Sequence, residues 1–190
     1  MLATALEQPA DTITFANDAA CFLQGEVAEG VAKGYETVLG FTLGTGLGAA
    51  LFSHGIAEDI DLWHTPFLDG IAEDYLFTRW FIKRYRELSS SSIADVKELA
   101  ERYAGDSHAR EVFTEFGKNF GDFIKMSVKG QEIDMVVIRG NIAHAIELFR
   151  NGMGKSMEGL PVLPRIQKSF LGEHAALIGA VSINTIITEL

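Results

Sequence analysis

The sequence of 190 residues has one cysteine, four prolines and no uninterrupted apolar run longer than a few residues. A lone Cys21 excludes an internal disulfide and any multi-cysteine zinc site, and it agrees with a reducing compartment. The apolar runs fall well short of the roughly 20 residues needed to cross a bilayer. Met1 is not followed by a basic and then apolar leader, so the expected location is the cytoplasm, with no membrane partner. Positive charge is also scarce. Sixteen Lys and Arg against 26 Asp and Glu leave a net charge of −10, which argues against a nucleic-acid surface. Phosphate binding stays open, because glycine-rich backbone holds phosphate with N–H dipoles rather than net charge.

What is present is a 47% hydrophobic chain, enough to bury the core of one domain, or of one domain with an appendage. Its organising stretch is Val38 to Phe52, VLGFTLGTGLGAALF. Two β-prone apolar runs flank Gly44-Thr45-Gly46-Leu47-Gly48 and predict a hairpin with a nearly bare turn. Glycines at alternate positions allow positive φ and let a ligand approach the amides, with the Thr45 hydroxyl as a further donor. A Walker A loop or a dinucleotide fingerprint would open a helix, whereas Ala49-Ala50-Leu51-Phe52 continues as a strand. On the motif alone, a hairpin whose glycines serve turn geometry is an equal reading.

Thr12 to Ala16 reads as a short strand. Asn17-Asp18 then opens a helix with Ala20, Leu23, Val27 and Val31 on one face, where both residues would serve as ordinary helix caps. After the hairpin, the segment from Ser53 to Phe67 mixes Glu58, Asp59, Asp61 and His64 with Trp63 and Phe67. That composition suits a small-molecule pocket or an anchored surface loop equally. Ile71 to Leu88 reads as one helix ending in the serine run Ser89 to Ser92. Ser92 is expected to cap a helix to about Ala104, and Asp106 another to about Lys129, with Val112, Phe116, Phe120, Phe123 and Ile124 inward. Ile133 to Ile138 is a buried strand ending at Arg139-Gly140-Asn141 and feeding a helix to Met157. Pro161 to Ile166 is a further strand, and Glu173 to about Thr188 a last helix whose Ala175, Ala176, Gly179 and Ala180 permit close packing. The alternation implies a mixed α/β sheet with parallel pairing in the C-terminal part and helices on both faces.

The order of these pieces resembles the ROK family of sugar kinases, within the actin-like, hexokinase-like ATPase fold. Asn17-Asp18-Ala19 is similar to the family's Glu-Asn-Asp-Ala-Asn, Gly25-Glu26 to its Gly-Glu, and Thr42 to Gly48 to its second phosphate loop. Asp61-Leu62-Trp63-His64 stands where the family has Glu-x-Gly-His, Val137 to Gly140 where it has an adenosine-site glycine pair, and Gly172 to Ala180 resembles its closing helix. The resemblance implies the ribonuclease-H-like ATPase lobe of a kinase that phosphorylates a hexose or amino-hexose hydroxyl, an activity expected to be incomplete in this chain. Asp18 would be the catalytic base, while Asn17, Asp61 and His64 would bind the sugar. Gly44, Thr45, Gly46, Gly48 and Gly140 would hold ATP with Mg2+. A sugar-sensing, non-catalytic regulatory domain of the same family is the alternative.

The departures from the family pattern carry their own expectations. Ala16 and Ala20 replace Glu and Asn, Asp61 is one methylene shorter than Glu, and Trp63 stands where the family has a glycine in a tight place. Asp69 to Tyr75 lacks the family's zinc cysteines, so no structural zinc is expected. Arg139 replaces a glycine and would stack on the base or block it. The family's Asp-x-Gly-Gly-Thr lobe has no counterpart in the sequence. By the resemblance, residues 1–33 are then the last strand and linking helix of that lobe, and 34–190 the C-terminal ATPase lobe. Surface built to meet an absent lobe would drive homodimer formation.

Overall fold

In the computed structural model, which describes residues 5, 7, 9, 13 and 15–189 with side chains as far as 186, side-chain alternation along the central strands sorts the core into two layers. Strands β1 (Val38–Leu43) and β2 (Leu47–Ser53) form the expected hairpin, and β3 (Ile56–Asp59) extends it antiparallel. On the other side of β1, β6 (Met135–Arg139) and β7 (Arg165–Lys168) pair parallel, giving the order β3-β2-β1-β6-β7. Leu39, Phe41, Leu43, Ala49, Val136 and Ile138 enter one core, while Val38, Ala50, Phe52, Met135 and Val137 enter the other. That is the period of two expected of a sheet covered on both faces.

The first face carries α5 (Ser107–Ser127), α6 (Ile146–Met157) and the outer helix α3 (Thr78–Ser89). Asp106 caps α5 by accepting the amides of His108 at 2.8 Å and Ala109 at 3.3 Å. The stripe Val112, Phe116, Phe120, Phe123 and Ile124 is fully buried, with Phe41 packed edge-on against Phe120 at 5.4 Å. The second face carries α1 (Asp18–Glu29) and α7 (His174–Glu189). Gly25 meets the Ala175 carbonyl so closely that a Cβ would lie 1.9 Å from its oxygen. Ala175 and Gly179 supply the small surface expected there, whereas Ala180 faces solvent. Glu26, fully buried, accepts from the amides of Val31 and Leu171 and from the Ser169 hydroxyl, fastening α1 to the segment that leads into α7.

Several boundaries differ from the sequence expectation. Thr12 and Thr14 of the expected first strand lie outside the described residues, while Ile13, Phe15 and Ala16 carry no regular secondary structure. The single helix from Ile71 to Leu88 is two, α2 (Ala72–Tyr75) and α3, because the Thr78 amide is diverted to the Gly44 carbonyl at 2.8 Å. The cap of α4 (Val96–Arg102) is Asp95 rather than Ser92, and Glu98 reaches back to the Ala94 amide as the second half of a capping pair. Strand β7 starts at Arg165, where the first amide past Pro164 pairs with Asp134. The segment from Asp69 to Tyr75 lies on a small hairpin of β4 (Pro66–Phe67) and β5 (Gly70–Ile71), with α2 following. Phe67 packs against Tyr75 and Phe123 there, and Asp74 accepts the Ile71 amide.

Candidate functional site

The hairpin turn from Gly44 to Gly46 is the point on which the start of α3, the segment after β6 and Glu73 of α2 converge. The Gly44 carbonyl accepts both the amide and the hydroxyl of Thr78, each at 2.8 Å, and Asn141 Nδ2 donates to that hydroxyl at 3.2 Å. Gly140, at φ 102°, follows β6 directly, and a Cβ there would come within 2.2 Å of the Leu43 carbonyl oxygen. The nucleotide residues named from the sequence, Gly44, Thr45, Gly46, Gly48 and Gly140, therefore do come together.

The reason for the glycines is different from the expected one. Gly44, Gly46 and Gly48 do not take positive φ. Contact favours glycine at one of them and leaves another tight: a Cβ on Gly48 would lie 2.3 Å from Thr42 Oγ1 and 3.4 Å from the Ala19 methyl, while one on Gly46 would lie 3.1 Å from Glu73 Oε2, the end of a flexible side chain. Inside the turn the Gly44 amide donates to Gly46 and the Leu47 amide to Glu73 Oε2 at 2.9 Å. The amides of Thr45 and Gly46 have no partner among the described residues. Glu73 escaped the sequence reading, because nothing local distinguishes it from its neighbour Asp74 on an amphipathic turn.

Asp18 stands at the start of α1, and the Ala19 contact brings that start against Gly48. Asn17 is the cap, its Oδ1 accepting the Ala19 amide at 2.7 Å. Asp18 is exposed, with its carboxylate at the positive end of the helix. Burial pushes the Cys21 thiol up, and the charge of Asp18 adds to that effect. From the other side, the Ile60 amide donates to Ala49 at 3.1 Å, so Asp61 leaves β3 beside the same Gly48. Asp61 takes the left-handed conformation at φ 55°, a strain of order 1 kcal/mol that Asp tolerates better than most residues. It leads into a single 3-10 turn, Leu62–His64, in which Trp63 and His64 are exposed. Trp63 does not occupy a tight place. The positive φ falls on Asp61, and the indole is 44% exposed.

The Arg139 side chain turns to the face of the sheet that carries α1. It shares the face of β6 that carries Met135 and Val137, so its guanidinium lies over the Phe22 ring at 5.6 Å and pairs with Glu173 at 2.7 Å. Its Nη1 is buried without a partner among the described residues. On the opposite face, beyond Gly140, a cavity of about 650 Å3 is lined by Asn141, His144 and Ala145 and by Val96, Lys97 and Ala100 of α4. Among the described residues no group of three or more His, Cys, Asp or Glu is placed to hold a metal ion, and no helix is long and apolar enough to cross a membrane.

The described elements form a mixed five-stranded sheet with helices on both faces and a glycine turn joining its inner strands β1 and β2. No family model matches the chain. In sequence it is 24% identical over 190 residues to an N-acetylgalactosamine kinase of Shewanella sp., covering 87% of this chain and 58% of the relative. In structure it superposes on a ROK family glucokinase from Streptomyces griseus, in complex with glucose and AMPPNP, at TM-score 0.78 and 20% identity, over 96% of this chain and 70% of that one. A ROK family transcriptional regulator, a homologue of the E. coli MLC protein, gives TM-score 0.83 at 18% identity, over 97% and 54%. By sequence the chain is related to the sugar kinases, and its fold is that of the ROK proteins. It spans less than two thirds of the length of that curated kinase.

Proposed function

We propose that the chain carries the base and half the nucleotide site of an ATP-dependent sugar kinase acting on a hexose or amino-hexose in the cytoplasm. The observation that carries this reading is the single corner at Gly48, where the start of the Asp18 helix, the glycine turn and the Asp61 loop meet. Asp18 takes the proton of the sugar hydroxyl as it attacks the γ-phosphate, a role for which a fixed carboxylate matters more than base strength. Asn17 keeps its Nδ2 for a sugar hydroxyl while Oδ1 caps the helix, and Asp61 and His64 contact further hydroxyls. The unpaired amides of Thr45 and Gly46, with the Thr45 hydroxyl, suit nucleotide phosphates, and the cavity beside Asn141 has room for a base and ribose. Magnesium on those phosphates would supply charge neutralisation during transfer.

The test is transfer of labelled phosphate from ATP to a panel of hexoses and N-acetylhexosamines, with Asp18→Asn as control. A second reading, sugar sensing without catalysis, is favoured by the fold likeness to the ROK regulator and by Ala16 and Ala20 in place of polar residues. Sugar binding without transfer would select it.

A further inference from the structure

Trp63 is placed as no core tryptophan would be. It is 44% exposed, whereas Trp80, the other tryptophan of the chain, is 7% exposed within the aromatic core. Its indole Nε1 donates to Asp61 Oδ1 at 2.7 Å, which fixes the ring plane. The His64 ring meets it edge-on at 5.0 Å and 67°. Asp61 Oδ2 has no partner among the described residues.

The three side chains thus make an angled unit: an apolar indole face beside a carboxylate and an imidazole, all exposed on one turn. We propose that Trp63 is the platform on which the sugar ring stacks, a specificity-determining residue for the sugar site proposed above, on which this inference rests. The physical basis is complementarity of charge and shape. One face of a pyranose presents axial C–H groups with slight positive charge, and the indole face is the negative side of its quadrupole. A ring lying there presents its edge hydroxyls to Asp61 Oδ2 and His64. An acyclic polyol offers the same hydroxyls but no rigid apolar face, so the site selects the closed ring. The N–H bond to Asp61 sets the platform before the ligand arrives, which lowers the ordering cost of binding.

The exposed indole supplies a readout that needs no turnover. Titration of the chain with glucose, N-acetylglucosamine and sorbitol is followed by tryptophan emission and, in parallel, by calorimetry. The two pyranoses are expected to change the emission and sorbitol to leave it unchanged. Trp63→Ala should abolish the emission change and weaken pyranose binding about fivefold. Trp63→Phe, which keeps a ring face but loses the N–H, should recover part of the affinity, and circular dichroism should show all three proteins equally folded. Pyranose affinity unchanged in Trp63→Ala but lost in His64→Ala would overturn the platform and leave the sugar site standing. No pyranose binding by any of the proteins would overturn both.

Discussion

A Cβ on Gly179 would sit 1.7 Å from the carbonyl oxygen of Cys21, so α7 and α1 touch backbone to backbone. The contact admits no side chain. Gly179→Val should therefore cost about 2–3 kcal/mol by forcing the helices apart, whereas Ala180→Val, one position on and solvent-facing, should change stability by less than about 0.5 kcal/mol. Urea denaturation of both variants checks this, and equal midpoints would refute the direct contact.

Gly46→Val places a side chain against Glu73 and beside the two unpaired amides of the turn. Calorimetry should show weak Mg-ATP binding by the unsubstituted chain and none by the variant. Equal affinities would remove the turn from the nucleotide site.

Asp18→Asn keeps the shape of the helix start and removes the base. In protein that transfers phosphate, kcat should fall on the order of 10²-fold or more while the sugar dissociation constant stays nearly constant. A parallel loss of sugar affinity would assign Asp18 to binding instead.

Away from the site, the Tyr85 hydroxyl donates to Asp106 Oδ2 at 2.6 Å. That bond, with the amides of His108 and Ala109, holds the Asp106 carboxyl below the usual carboxylate range. A lowered folded-state value means stability present above the unfolded-state value and lost as pH falls through the folded one. Asp106→Ala should cost about 1 kcal/mol at neutral pH as a lost cap, and thermal melts of the two proteins should converge as the pH drops toward the acid limb. A constant gap would show that the carboxylate charge contributes nothing.

Leu177 and Val181 are each 69% exposed on a helix that is apolar on its inner face as well. Helices apolar all round are normally covered. Covering a few hundred Å2 of such surface gives several kcal/mol at roughly 25 cal/mol per Å2, so sedimentation at micromolar concentration should show a homodimer, and Leu177→Lys with Val181→Glu should return a monomer. A clean monomer of the unsubstituted chain would refute the expectation.

The hairpin and the α5 stripe were legible because both are local. Alternation and a glycine turn announce the one, and spacings of three and four from Val112 to Ile124 announce the other. The break between Tyr75 and Thr78 was not, because its cause is a carbonyl 34 residues away at Gly44. The direction of Arg139 is legible from its parity with Met135 and Val137 on β6. Glu73 had no local signal, since its role is an amide 26 residues back at Leu47. The candidate residues come from motif order, and the meeting of the α1 start, the glycine turn and the Asp61 loop at Gly48 depends on sheet register that no single motif contains.

The clamp on Gly44 has a bearing on rates. With its carbonyl held by two donors from Thr78 and its own amide turned onto Gly46, the turn is held in place without a ligand, so in the proposed nucleotide site little chain entropy would be left to lose on contact. Nucleotides should then enter with similar, diffusion-governed rates and differ in how long they stay. Loosening the clamp through Thr78→Val would be felt as a slower and more variable approach to the bound state.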